Sequence, residues 1–203
     1  MEWLARGTFA VLLALSVAAC DEGDGDDLSL EIESEVLAIG APATDALLGA
    51  LIARLSSAIT HEGPAGAVEF CSTHALDLSA GIALEQGFDI KRTSMRYRNP
   101  ANAPDEAETE ALKHFESVLA ETGRLPVDWV QRAGRDEYRY YRALTVAPPC
   151  IQCHGATDEI DAAVQAILDE RYPGDLATDY AVGDFRGLVR VSIPADRVEG
   201  SGS

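Results

Sequence analysis

Leu47, Leu48, Leu51, Ile52, Leu55 and Ile59 recur at the three- and four-residue spacing of a helix with one buried face, and Thr44 ahead of them has the chemistry of an N-cap. Gly63-Pro64 breaks that pattern and opens a second helix, AGAVEFCSTHALDLS, in which Val68, Cys71, Ala75 and Leu78 fall on one side. The period shortens to two in GFDIKRTSMRYRN, where Phe88 and Ile90 are followed by Met95 and Tyr97, and this predicts a strand. NPANAPD reads as a loop, after which Asp105 caps an amphipathic helix, EAETEALKHFESVLAE, carrying Leu112, Phe115, Val118 and Leu119. VDWVQ and EYRYYRALTVA are strand-like runs on either side of a turn at Ala133 to Asp136, a predicted hairpin. Beyond them, residues 158–171 read as helix, 172–182 as irregular chain, and DFRGLVRVSIP as a last strand.

Hairpin connections outnumber crossovers in this order of elements. The expected class is therefore α+β, with an antiparallel sheet, helices on one of its faces, and the segment after EYRYYRALTVA at the end of a strand. Residues 29–198 are expected to form one domain, and about 170 residues suffice for a substantial core. The last residues, 199–203, read as a flexible tail.

The N-terminus changes the setting. MEWLARGTFAVLLALSVAAC has an early arginine, an apolar run from Phe9 to Ala19 broken only by Ser16, and a cysteine after small residues. Residues 1–19 are expected to be an export signal, since the apolar run falls short of the ~20 residues that span a bilayer. Val17, Ala18, Ala19 and Cys20 resemble a bacterial lipobox, which predicts cleavage before Cys20, lipid on its sulfur, and a periplasmic protein tethered to membrane. Residues 20–28, rich in Asp and Glu, would be the solvated tether. The net charge of −18 argues against nucleic acid as a partner and makes any electrostatically steered partner basic.

Chemistry concentrates in CIQCHG, residues 150–155. With Cys20 assigned to lipid, Cys150 and Cys153 occupy the motif and Cys71 is left over. A thioredoxin-type dithiol belongs near a βαβ unit, and none surrounds Pro148-Pro149. Zinc is a second possibility, because Cys71-x-x-His74 and Cys150-x-x-Cys153 supply two ligand pairs, although His154 would then have no task. The third reading, C-x-x-C-H as a site of covalent haem attachment, uses all three motif residues: each thiol adds to a vinyl group and the histidine ligates iron. It also agrees with export.

The stretches AVEFCSTHALDLS, IKRTSMRYRNPANAPDEAE, YYRALTV followed by CIQCHG, and GDFRGLVRVSIP together resemble a family of exported single-haem c-type cytochromes with a PAS-like haem domain. The resemblance runs from about Thr44 to Pro194. It implies a PAS-like antiparallel sheet with flanking helices, one covalent haem c on Cys150 and Cys153, His154 on one side of the iron, and Cys71, from the F-C-S-x-H-A helix, on the other. Family members fused to membrane-spanning and kinase segments resemble sensors; no such output segment is visible in this sequence.

Read from the residues alone, the second iron ligand has five candidates: Cys71, His61, His74, His114 and Met95. Met95 reads as a core residue of a strand, His114 as solvated, and His61 as a helix-end surface residue. His74 rivals Cys71, or else supports it by hydrogen bonding. Arg92, Arg96, Arg98, Arg139 and Arg142 are candidates for pairing with haem propionates. Two side chains on the iron leave no open position, so the expected role is redox or small-ligand sensing rather than enzymatic turnover, with electron transfer between unidentified partners as the alternative and a zinc-stabilised binding module as a third class.

Overall fold

The computed structural model describes residues 28–200, so the export signal, Cys20, nearly all of the acidic tether and most of the tail lie outside the described residues. Helix α1 (Leu30–Gln86) starts well before Thr44, capped by Ser29, whose hydroxyl accepts from the Ile32 N–H at 3.3 Å. Gly40 and Pro42 look like breakers in sequence, but packing outweighs propensity here. Val36, Ala43 and Leu47 are fully buried against the sheet, and a Cβ at Gly40 would sit 2.2 Å from the Tyr140 ring, so glycine is what lets the helix approach. By length and composition this helix also passes for a membrane span, with a mean hydropathy of 1.8 over its most apolar stretch, 28% of which is buried; the side carrying Val36, Ala43 and Leu47 packs on the sheet.

The predicted break at Gly63 is present as a kink. Its φ of 74° is left-handed, Pro64 begins the second arm, and Gly87, also at φ 74°, ends it with hydrogen bonds to the Ala83 and Leu84 carbonyls. Two arms of one interrupted helix thus replace the two separate helices expected.

The sheet has the order β1-β4-β3-β2, entirely antiparallel, with β1 (Asp89–Thr93), β2 (Asp128–Arg132), β3 (Glu137–Thr145) and β4 (Phe185–Pro194). The β2–β3 hairpin turns where the sequence predicts. Strand β1 stops at Thr93, short of Met95 and Tyr97, because the Ser94 hydroxyl takes over from the ladder: it donates to the Arg186 carbonyl at 2.8 Å and accepts from the Arg96 N–H at 3.1 Å. Gly187 makes that crossing possible, since at φ 141° a Cβ there would lie 2.3 Å from the Thr93 carbonyl oxygen.

Helices cover both faces of the sheet, not one. The first arm of α1 packs on Ile90, Tyr138, Tyr140 and Val191, while α2 (Glu106–Thr122) packs through Ala111, Leu112 and Phe115 on Tyr141 and Leu188. Asp105 caps α2 as expected and forms a full capping box with Glu108. Glu108 is fully buried and receives the Lys91 ammonium at 2.7 Å, the Thr93 hydroxyl at 3.1 Å and Arg190 Nε at 3.1 Å. Arg190 and Ser192 of β4 are nonetheless buried, because this carboxylate neutralises Arg190 and the Ser192 hydroxyl accepts from Arg190 Nη1 at 2.5 Å. Glu108→Ala should lower unfolding stability by about 3–5 kcal/mol in a denaturant titration, by leaving Arg190 buried with only the exposed Asp89 as counter-ion.

Between β3 and β4 lies a long insertion. Its neck is closed by the Val146 N–H to the Asp184 carbonyl at 3.0 Å and the Gly183 N–H to the Val146 carbonyl at 2.8 Å. It carries α3 (Ile151–His154) and α4 (Ala162–Arg171), the latter capped by Asp161 and therefore starting later than residue 158. Val164 and Leu168 of α4 pack on Val68, and Arg171 pairs with Glu69 at 2.5 Å, which docks the insertion on the second arm of α1. A final short helix, α5 (Asp196–Glu199), lies within the region read as domain end and tail.

Candidate functional site

Pro148-Pro149 open a tight 3-10 turn, Pro148–Cys150, that runs straight into α3. Helical spacing places residues i, i+3 and i+4 on one face, and Cys150, Cys153 and His154 accordingly line one cavity. Its opposite wall is the second arm of α1, where Cys71 faces in with Ala67, Val68 and Ala75, and where Leu55 and Ile59 reach it from the first arm. All three described cysteines are free thiols, so no disulfide competes for them.

The His154 ring is fixed by its surroundings. Its Nδ1 lies 2.7 Å from the Ala177 carbonyl, a bond that requires the hydrogen on Nδ1 and leaves Nε2 as the basic nitrogen. Burial, and then the charges of Arg98 and Arg186, hold its pKa down to about 3, so the ring is neutral and able to ligate across the physiological range. The Tyr180 N–H donates to the His154 carbonyl at 2.9 Å, and its ring stands edge-on to the imidazole at 6.4 Å. Arg98 joins the two strands of this cradle: its Nη2 donates to the Cys153 and Ala177 carbonyls, and its Nε pairs with Asp175 at 2.8 Å.

Cys71 is half-buried on the far wall. Burial pushes its thiol pKa up, while the charges of Arg92 and Arg98 act in the opposite sense. Of the five ligand candidates it alone lines the cavity. His74 is exposed, its ring stacked on Phe70 at 5.4 Å and its Nδ1 bonded to the Thr73 hydroxyl at 2.5 Å. The four donors of the zinc reading therefore do not converge, and among the described residues no group of three or more His, Cys, Asp or Glu is placed to hold a metal ion. Met95 is 44% exposed and lines a different cavity, between α2 and the start of β4, so it is not a core residue. His61 is exposed near the kink. His114, expected to be solvated, is half-buried and stacks on Trp129 at 4.3 Å because β2 runs beneath that side of α2.

The arginines divide sharply. Arg139 pairs with Asp105 and Glu137, Arg142 pairs with Asp45, and neither reaches the cavity. Arg96 is exposed, its guanidinium 4.0 Å above the Tyr180 ring. Arg92 and Arg98 line the cavity, and so does Arg186, a residue the sequence reading did not single out. Nothing local in GDFRGLVR distinguishes it; only the antiparallel pairing of β1 with β4 brings it beside Ser94.

Comparisons with known proteins follow the same lines. A search of curated proteins returns no match. The crystal structure of the cyanobacterial haem protein Tll0287 superposes with a TM-score of 0.52 at 25% identity, covering 72% of this chain and 92% of that one. Residues 26–194 match the model of the Tll0287-like family, nearly the whole of the described chain, and the protein belongs to that family.

Proposed function

We propose that this protein is a periplasmic, lipid-tethered, single-haem c-type protein that acts in redox or small-ligand sensing and not as an enzyme. The observation that carries the reading is the convergence of Cys150, Cys153, His154 and Cys71 on one cavity, two thiols beside a neutral imidazole and a third thiol facing them. The donor set fits haem: Cys150 and Cys153 would be the thioether anchors, Nε2 of His154 and the sulfur of Cys71 would be donors to iron, and cationic side chains would meet the carboxylates. Bound there, haem supplies one-electron chemistry at iron. Kinship with a protein described as a cyanobacterial haem protein supports the same cofactor.

The cavity measures about 190 Å³, smaller than the ~300–1,000 Å³ usual for small-molecule sites. Accommodating a group of that size asks the second arm of α1 to stand further from the motif, and the left-handed glycines at its two ends, Gly63 and Gly87, are natural points of movement. An arm that carries one axial ligand and can pivot suits a sensor better than a carrier, which gains from ligands that stay still.

The test is a spectrum of the full chain produced in a bacterium with a cytochrome c maturation system. Membranes are expected to contain it as a red protein with a c-type ferrous spectrum, and reduction is expected to change its coordination. A colourless product would sink the haem reading, colour confined to the soluble fraction would sink the tether, and coordination unchanged on reduction would favour electron transfer.

A further inference from the structure

Buried and half-buried cations in this protein are systematically neutralised. With 34 acidic side chains against 16 basic ones, a carboxylate is easily found. Among the described residues, Lys91, Arg98, Arg139, Arg142 and Arg190 are withheld from full exposure and each pairs with Asp or Glu. Arg92 and Arg186 are the two described basic side chains that are neither exposed nor within ion-pair distance of a carboxylate, and both line the cavity of Cys150, Cys153 and His154. The other described cations without such a partner, Arg54, Arg96, Lys113, Arg124, Arg135 and Arg197, are exposed.

An unpaired guanidinium withdrawn from water is costly unless an anion completes it. Both side chains are set up to receive one. Arg186 is fixed through Nη1, which donates to the Ser94 hydroxyl at 2.9 Å and the Arg96 carbonyl at 3.0 Å, and its guanidinium lies 5.3 Å from the Tyr180 ring centre. Its Nε and Nη2 remain for a ligand. Arg92 shares the α1 face of β1 with Ile90 and makes no side-chain hydrogen bond among the described residues. Burial lowers the pKa of both guanidiniums without discharging them, and Asp175, already engaged by Arg98, is the carboxylate whose charge reaches Arg186 from further away.

We infer that Arg92 and Arg186 are the anion-binding pair of this cavity and take the two propionate carboxylates of the haem, one each. This rests on the haem reading above and deepens it, assigning the acidic edge of the cofactor to the β1–β4 side of the cavity. Arg139 and Arg142 are excluded by their own carboxylates, and Arg98 serves as the clamp on the motif backbone.

Resonance Raman spectroscopy of the holoprotein tests it, because the propionate bending band reports hydrogen bonding to the carboxylates. Arg92→Gln and Arg186→Gln, each compared with the wild type and with the exposed control Arg124→Gln, should each shift that band to lower frequency while haem stays bonded to the denatured chain. Arg92→Lys should restore part of the shift. The midpoint potential should fall in both Gln variants, since an uncompensated carboxylate favours Fe(III). An unmoved band in both variants, or a band unmoved with only the iron–thiolate features altered in Arg92→Gln, would overturn the assignment; the second result would make Arg92 a partner of the Cys71 sulfur. A wild-type protein without covalent haem would overturn the underlying reading first, before any arginine variant is compared.

Discussion

Acid extraction of the denatured holoprotein should leave all of the haem on the chain, and replacing Cys150 and Cys153 together with alanine should reduce that retention to background. The expectation follows from bond type. A thioether survives both denaturation and acid, whereas axial coordination by His154 is lost as soon as the fold is lost and the imidazole is protonated. The two thiols sit on consecutive tight turns and face the same cavity, so neither attachment requires the backbone to unwind. Single replacements should each retain haem through the remaining thioether, with the ferrous absorption band displaced because one vinyl group stays unsaturated. A haem-stained denaturing gel and a pyridine haemochrome spectrum read both results. Full extraction from the wild type would remove the c-type assignment, whatever else binds in the cavity.

The parts of the fold that could be read from sequence are those fixed by neighbours in the chain. The β2–β3 turn, the Asp105 cap and the helical phase that puts Cys71 with Val68 and Ala75 are all local, and all appear as the pattern implies. What sequence could not give depends on packing between distant segments. The start of α1 is masked in sequence because Thr44 has the chemistry of an N-cap, whereas the helix runs on through Gly40, whose lack of a Cβ admits the Tyr140 ring. The second covered face of the sheet depends on Glu108, which α2 brings over Arg190 and Ser192. The same limit applied to the site. Cys71 and His74 are close enough on a helix for either to reach one point, yet only Cys71 lines the cavity, while His74 stacks on the ring of Phe70 outside it. Arg186 lies far from Arg92 in sequence and joins it only through strand pairing.

Cys71→Ala should have the largest effect on redox behaviour, raising the midpoint potential, removing thiolate features from the oxidised spectrum and admitting carbon monoxide to the ferrous protein. An anionic sulfur donor stabilises Fe(III) more than Fe(II), so its loss shifts the couple toward reduction. Burial raises the pKa of the thiol, with the charges of Arg92 and Arg98 acting in the opposite sense, so on the proposed reading coordination to a ferric centre would be what tips it to thiolate. With a ferrous centre that advantage would shrink, and burial would favour the neutral Cys71 thiol, a weaker ligand. Release would free the second arm of α1, held at its ends by Gly63 and Gly87 and against α4 by Val68 and the Arg171–Glu69 pair, to shift as a unit. His74 does not face the cavity in the described arrangement, so the alanine variant is expected to show an open ferrous position and not a bis-histidine spectrum. A variant that keeps the wild-type spectrum and potential would reduce Cys71 to a half-buried packing residue and remove the switch from the proposed function.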